Sequence, residues 1–172
     1  MTTPASGYPT TEISPGIHWI KSVLNETGHA YILQGLAGNY LLGVSRDLTG
    51  NPLIEKFMPY QILCIGDRHH GKSAASQLCK QVGRGITCSE IESVKLSKGV
   101  TVEQASPMAR TSLFEDFIAL PTPGHTPGAL SYIFTQANHV TLFMGDSLCP
   151  VNGVWRYWVS HSNLPKFANS IE

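Results

Sequence analysis

Five side chains in this sequence have the chemistry of a metal centre. Asp67, His69 and His70 lie in GDRHHGK, His125 in LPTPGHTPGAL, and Asp146 in FMGDSL. They supply three imidazoles and two carboxylates. That mixture suits zinc, iron or manganese, whereas calcium takes all-oxygen shells. Pro121, Pro123 and Pro127, with Gly124 and Gly128, fix the backbone on both sides of His125. That histidine is therefore held in place before anything binds it. Each residue also has a plainer role. Asp67 could cap the helix that follows it, His125 could close a turn through a backbone hydrogen bond, and Asp146 could be a turn residue. His69 and His70 would point opposite ways on a strand and could share an ion only from a loop or a helix start. What favours a common site is that all three clusters follow apolar, strand-like runs.

Those runs define the elements that must position the site. GIHWIKSV alternates apolar and polar residues and reads as an edge strand; HAYILQGLAGN and YLLGV continue as a meander. RDLTGNP is a turn cluster. YQILCIG is a continuous apolar run, the pattern of a strand buried on both faces. A helix is predicted over 73–82 from apolar residues at 74, 75, 78, 79 and 82, with Gly83 at its C-cap. GITCS is then a strand parallel to YQILCIG. Further strands are expected near Val100 to Gln104 and at FEDFIAL, ALSYIF and HVTLFMG. Strands, a crossover helix and strands again predict a layered α/β structure with a mixed sheet. Ligands in open sheets of this kind sit beyond the carboxyl ends of the strands. DRHH, PGHTPG and GDS all lie at such ends, so the fold is expected to gather them at one edge.

The 172 residues read as one domain, 1–172, with 1–12 a flexible tail. The opening MTTPASGYPTTEISPG has neither the basic start nor the apolar core of a signal peptide. Twelve basic side chains balance twelve acidic ones, and charged residues are 14% of the chain. Nucleic acid is therefore not expected as a partner, because phosphate binding needs a cationic surplus or patch. Lys95 and Lys98 are read as a solvated face. No apolar run approaches the roughly 20 residues of a membrane span. Cys64, Cys79, Cys88 and Cys149 are scattered without a CxxC pair and are read as reduced thiols, the first three in the core. The expected location is the cytoplasm.

FIALPTPGHTPGALSYIF followed by HVTLFMGDSL resembles the second half of the metallo-β-lactamase superfamily. There the pattern is a strand, P-G-H-T-P-G, a strand pair, then G-D at a strand end. Asp146 follows His125 by 21 residues, the spacing that pattern requires. SPGIHWI and GNYLLGV resemble the family's opening strands, and ILCIGDRHHGKSAASQL its strand-loop-helix. The resemblance covers roughly residues 13 to 150. It implies a layered α/β fold with mixed sheets flanked by helices, and a site for zinc, with iron or manganese as alternatives. The family's H-x-H-x-D-H motif is altered here. Ile65, Asp67, His69 and His70 fall on its two leading histidines, its aspartate and its last histidine. His125 matches the third-histidine position and Asp146 the bridging aspartate. Asp67 and His69 exchange the carboxylate and imidazole of the motif, so the swap is charge-neutral, whereas Ile65 removes a ligand. The resemblance also implies a further helix, strand and final histidine after Glu172, so the chain reads as short at its C-terminus. His161 comes too soon after Asp146 to replace that histidine.

Two readings follow. In one, the protein is a metal-dependent hydrolase with a rearranged, mononuclear site that acts on an ester, amide, thioester or phosphodiester of a small molecule. Its metal ligands are drawn from Asp67, His69, His70, His125 and Asp146, and Asp67 and His69 are the catalytic candidates. In the other, the metal site is lost and no cofactor is held. The fold then serves as a binding or scaffold protein, with PGHTPG kept as a brace. The aromatic run WRYW after Pro150 is a candidate substrate wall, or a surface for homodimer formation.

Overall fold

The computed structural model describes residues 10–21, 29–44, 48–66, 72–157 and 168. A seven-stranded sheet runs in chain order: β1 (Thr10–Ser14), β2 (Ile17–Lys21), β3 (His29–Gly35), β4 (Gly38–Leu42), β5 (Tyr60–Cys64), β6 (Ile86–Ser89) and β7 (Val102–Ser106). The first four strands are antiparallel to their neighbours, and β4 to β7 are parallel. Three helices supply the parallel crossovers: α1 (Pro52–Lys56), α2 (Lys72–Val82) and α3 (Glu90–Leu96). A second, antiparallel sheet is the meander β8 (Thr111–Phe114), β9 (Phe117–Pro121), β10 (Leu130–Gln136) and β11 (His139–Phe143). After a 3₁₀ turn at Gly145–Ser147 comes the hairpin β12 (Leu148–Val151) and β13 (Val154–Tyr157).

Strand alternation sorts the apolar residues into two cores. On β3 to β5, Ile32, Leu41 and Leu63 face the helices, where they meet Ile54, Ala74, Ala75, Leu78 and Val82. Their neighbours Leu33, Tyr40, Leu42, Ile62 and Cys64 face the second sheet and pack on Phe117, Ala119, Leu130, Tyr132 and Phe134. The solid apolar run YQILC is thus a strand covered on both faces, as expected. Helix α2 carries the predicted stripe, and Gly83 (φ +70°) ends it by donating to the Cys79 carbonyl at 2.9 Å.

Several sequence expectations are corrected. Thr10–Ser14 is a strand that pairs with β2, so residues 10–12 are not tail and β2 is not an edge; residues 1–9 lie outside the described residues. The pattern cannot distinguish an edge from a second strand, because polar outward residues suit both. Two short helices, α1 and α3, were not expected. Each is set by a capping side chain, Asn51 accepting from Leu53 N–H and Ser89 from Glu92 N–H. FEDFIAL does not form one strand, because the chain turns at Glu115 and Asp116 between β8 and β9. The three polar clusters also do not share one sheet. DRHH follows β5 of the first sheet, whereas PGHTPG and GDS belong to the second. Asp67, His69 and His70 lie outside the described residues, and PGHTPG and GDS sit at the seam between the two sheets.

The far end of that seam is tied by Asp116. Its buried carboxylate accepts from Leu36 N–H at 2.6 Å and from Tyr40 O–H at 2.7 Å, joining the β8–β9 turn to the β3–β4 turn. Gly35 is required beneath it, since a Cβ there would run into the Tyr40 ring and Asp116. Asp116→Ala strands a buried hydroxyl and a backbone amide, and is expected to lower stability by about 3 kcal/mol. Urea midpoints of the two proteins measure the difference.

Candidate functional site

At the other end of the seam the chain leaves β9 and forms the PGHTPG loop. Thr122 N–H donates to the Ala129 carbonyl at 3.0 Å, and Gly124 N–H and Ala129 N–H both reach the Thr126 carbonyl, at 3.1 and 3.3 Å. These bonds close residues 122–129 on themselves, so His125 is carried by a braced loop. Ser147 holds the loop from the second sheet. Its hydroxyl accepts from His125 N–H at 3.4 Å and donates to the Thr122 carbonyl at 3.3 Å. Ser131 adds a hydroxyl pair with Thr122 at 2.8 Å and donates to the Met144 carbonyl at 3.3 Å. Asp146 is delivered one residue after Gly145, whose φ of +58° lies in the left-handed region that favours glycine.

The result brings two of the predicted ligands together. His125 Nε2 and Asp146 Oδ2 are 3.9 Å apart, with side chains 13% and 42% exposed. The imidazole is shielded while the carboxylate is open to solvent. Two donors at about 2.1 Å from one tetrahedral ion lie about 3.4 Å apart, so this pair needs to close by only about half an ångström. Their chemistry, one imidazole nitrogen and one carboxylate oxygen, fits zinc. Among the described residues no group of three His, Cys, Asp or Glu side chains could hold an ion. Asp67, His69 and His70 lie outside the described residues. The chain enters that stretch at a defined point, because the Gly66 carbonyl accepts from Leu130 N–H at 2.9 Å and the Ile65 carbonyl from Tyr132 O–H at 2.8 Å. Residues 65 and 66 are thus tied to β10, the strand that follows the loop bearing His125.

Ile65, at the position of the motif's first histidine, is fully buried in the core on the helix side. It contributes packing there. The Thr126 hydroxyl, next to His125, is buried with no hydrogen-bond partner among the described residues, which is what a site completed by further groups leaves behind. The thiols of Cys64, Cys79 and Cys88 are buried. Burial pushes Cys64 and Cys79 up and Cys88 up to about 12, with the charge of Glu92 adding to the last. Cys64, Cys79 and Cys88 are free and buried, as expected, and the Cys149 side chain lies outside the described residues. Sequence reasoning missed Ser147 and Ser131, because a serine after an aspartate or inside a strand carries no signature of its own.

Solved structures share this architecture. A metallo-β-lactamase of Cronobacter sakazakii with a HARLDQ motif superposes with a TM-score of 0.63 at 18% identity, over 77% of this chain and 62% of its own. A subclass B3 metallo-β-lactamase of Bradyrhizobium japonicum gives 0.63 at 18%, over 90% and 69%. The metallo-β-lactamase DIM-1 gives 0.71 at 8%, over 94% and 80%. This chain has the metallo-β-lactamase fold. A curated relative, the hydroxyacylglutathione hydrolase of Bartonella henselae, is 36% identical over 101 residues, 57% of this chain. The chain covers 38% of that relative's length. No family model matches. Among the described residues of this metallo-β-lactamase fold no helix is long and apolar enough to cross a membrane.

Proposed function

We propose that this protein is a metal-dependent hydrolase with a single rearranged site, zinc being the metal its donors suit best. His125 and Asp146 would hold the ion together with Asp67, and His69 or His70 would serve as the fourth ligand or as a general base. The observation that carries this reading is the His125–Asp146 pair at 3.9 Å, on a loop braced before any ligand arrives. A mononuclear site is favoured over a binuclear one because Ile65, at a ligand position of the motif, is fully buried in the core.

Bound here, zinc would supply a Lewis acid and a water whose pKa falls to about 7. The protein's own part is orientation and proton movement. His125 would present Nε2 to the ion from a shielded ring. Asp146, open to solvent, would offer one oxygen to the ion and leave the other free to accept a proton. His69, with a reference pKa near 6.5, suits base work at neutral pH. Among the four bond classes, a thioester is preferred because the curated relative is named for the hydroxyacyl conjugate of glutathione. S-lactoylglutathione is therefore the first substrate to assay.

Elemental analysis and melting with and without a chelator test the reading. About one equivalent of zinc is expected, and its removal should lower the melting temperature by several degrees through mass action. A metal-free protein with unchanged melting would leave the alternative, a non-catalytic binding protein, in possession.

A further inference from the structure

We propose that Ser89 and Glu92, at the start of α3, are positioning residues that aim His125 from the first sheet. Helix α3 begins with a serine at the N-cap and a glutamate three residues on, the pairing of a capping box. Ser89 Oγ accepts from Glu92 N–H at 3.2 Å, but the two side chains also turn outward from the helix. Ser89 O–H donates to the Gly128 carbonyl at 2.6 Å, and Glu92 Oε1 accepts from Gly128 N–H at 3.1 Å. Both polar backbone atoms of Gly128 are therefore held by the first turn of α3. All three partners are buried, Ser89 and Glu92 completely.

Gly128 has no room for a side chain. A Cβ there would lie 2.5 Å from Ser89 Oγ and 2.7 Å from Glu92 Oε1. Because residues 122–129 are closed on themselves by the Thr126 and Ala129 bonds, a grip on Gly128 is a grip on His125, three residues away. Ser147 restrains the same loop from the second sheet. The backbone that carries His125 is thus held by one anchor on each sheet. A fully buried carboxylate is costly to desolvate and is retained where its hydrogen bonds repay that cost; here it holds the loop that carries the candidate ligand.

The role of His125 as a ligand rests on the function proposed above; the clamp itself does not. The test combines imidazole NMR of the metal-free protein, with the His125 resonance assigned by its loss in His125→Ala, and zinc affinity by competition with a chromophoric chelator. Glu92→Ala and Ser89→Ala are each expected to shift the His125 resonance and to weaken zinc binding about 10- to 100-fold. Glu92→Gln keeps the Oε1 acceptor and should restore both. Ser89→Ala, the milder change, carries the test if Glu92→Ala fails to fold. An unmoved His125 resonance in folded Glu92→Ala or Ser89→Ala would overturn the proposal, as would Glu92→Gln perturbed as strongly as Glu92→Ala. A wild-type protein that takes up no zinc, with a His125 resonance that still moves in the variants, would sink the hydrolase reading and keep the clamp.

Discussion

His125→Ala is expected to reduce zinc affinity by at least about 100-fold, since loss of a ligand should cost no less than loss of a supporting group. The proposed hydrolysis of S-lactoylglutathione should fall to background with it. The physical reason is the contrast in the pair: the imidazole, proposed as a ligand, is 13% exposed on a braced loop, whereas Asp146, 42% exposed, has solvent to satisfy it. Isothermal titration with zinc, followed by the hydrolysis assay at saturating metal, separates binding from turnover. A histidine that merely closes the loop would show a different pattern, a lower melting temperature with zinc content unchanged. That outcome would remove the central observation behind the proposed activity.

Phe117→Ala is expected to cost about 3–5 kcal/mol, a large share of the roughly 5–15 kcal/mol that holds a domain together. Phe117 is fully buried between the sheets, stacked on Tyr132 at 5.4 Å and on Tyr40 at 5.1 Å between ring centroids. Its removal leaves a cavity between strands that pair along their whole length, and such walls collapse poorly. Ile118, the next residue, points to the opposite face of the same strand and is half-buried; Ile118→Ala should cost clearly less. Guanidinium unfolding of both variants measures the contrast. Equal losses would mean that the inter-sheet core is not where the stability resides.

Much of the first sheet was legible because period-two alternation directly reports burial. Tyr40, Leu41 and Leu42 point alternately into two different cores, and YQILC has apolar residues for both. The helical stripe of α2 and its glycine stop were equally plain. The assignment of strands to sheets was not legible, since alternation names a face but never the partner on it. Asp116 shows this most clearly. Its hydrogen-bond partners lie 80 and 76 residues away, and FEDFIAL reads as unbroken unless those partners are known. Of the candidate site, His125 and Asp146 were found by type and spacing, and the structure places them side by side. The groups that hold them, Ser147, Ser89 and Glu92, act through backbone atoms. Only Ser-x-x-Glu at 89–92 carried a signal that could have pointed to α3.

Every strand of the two large sheets hydrogen-bonds only to the strands adjacent to it in the chain. Each sheet can therefore zip up by short loop closures, at small entropic cost. The long closures, Tyr40 to Asp116, Ile65 to Tyr132 and Ser89 to Gly128, join one sheet to the other and form as the two dock. The braced histidine, its serine and glutamate anchors and the entry to residues 67–71 meet in that same step. A chain with both sheets formed but not yet docked would have its secondary structure and no candidate site, so the candidate site belongs to the docked pair of sheets and to neither sheet alone.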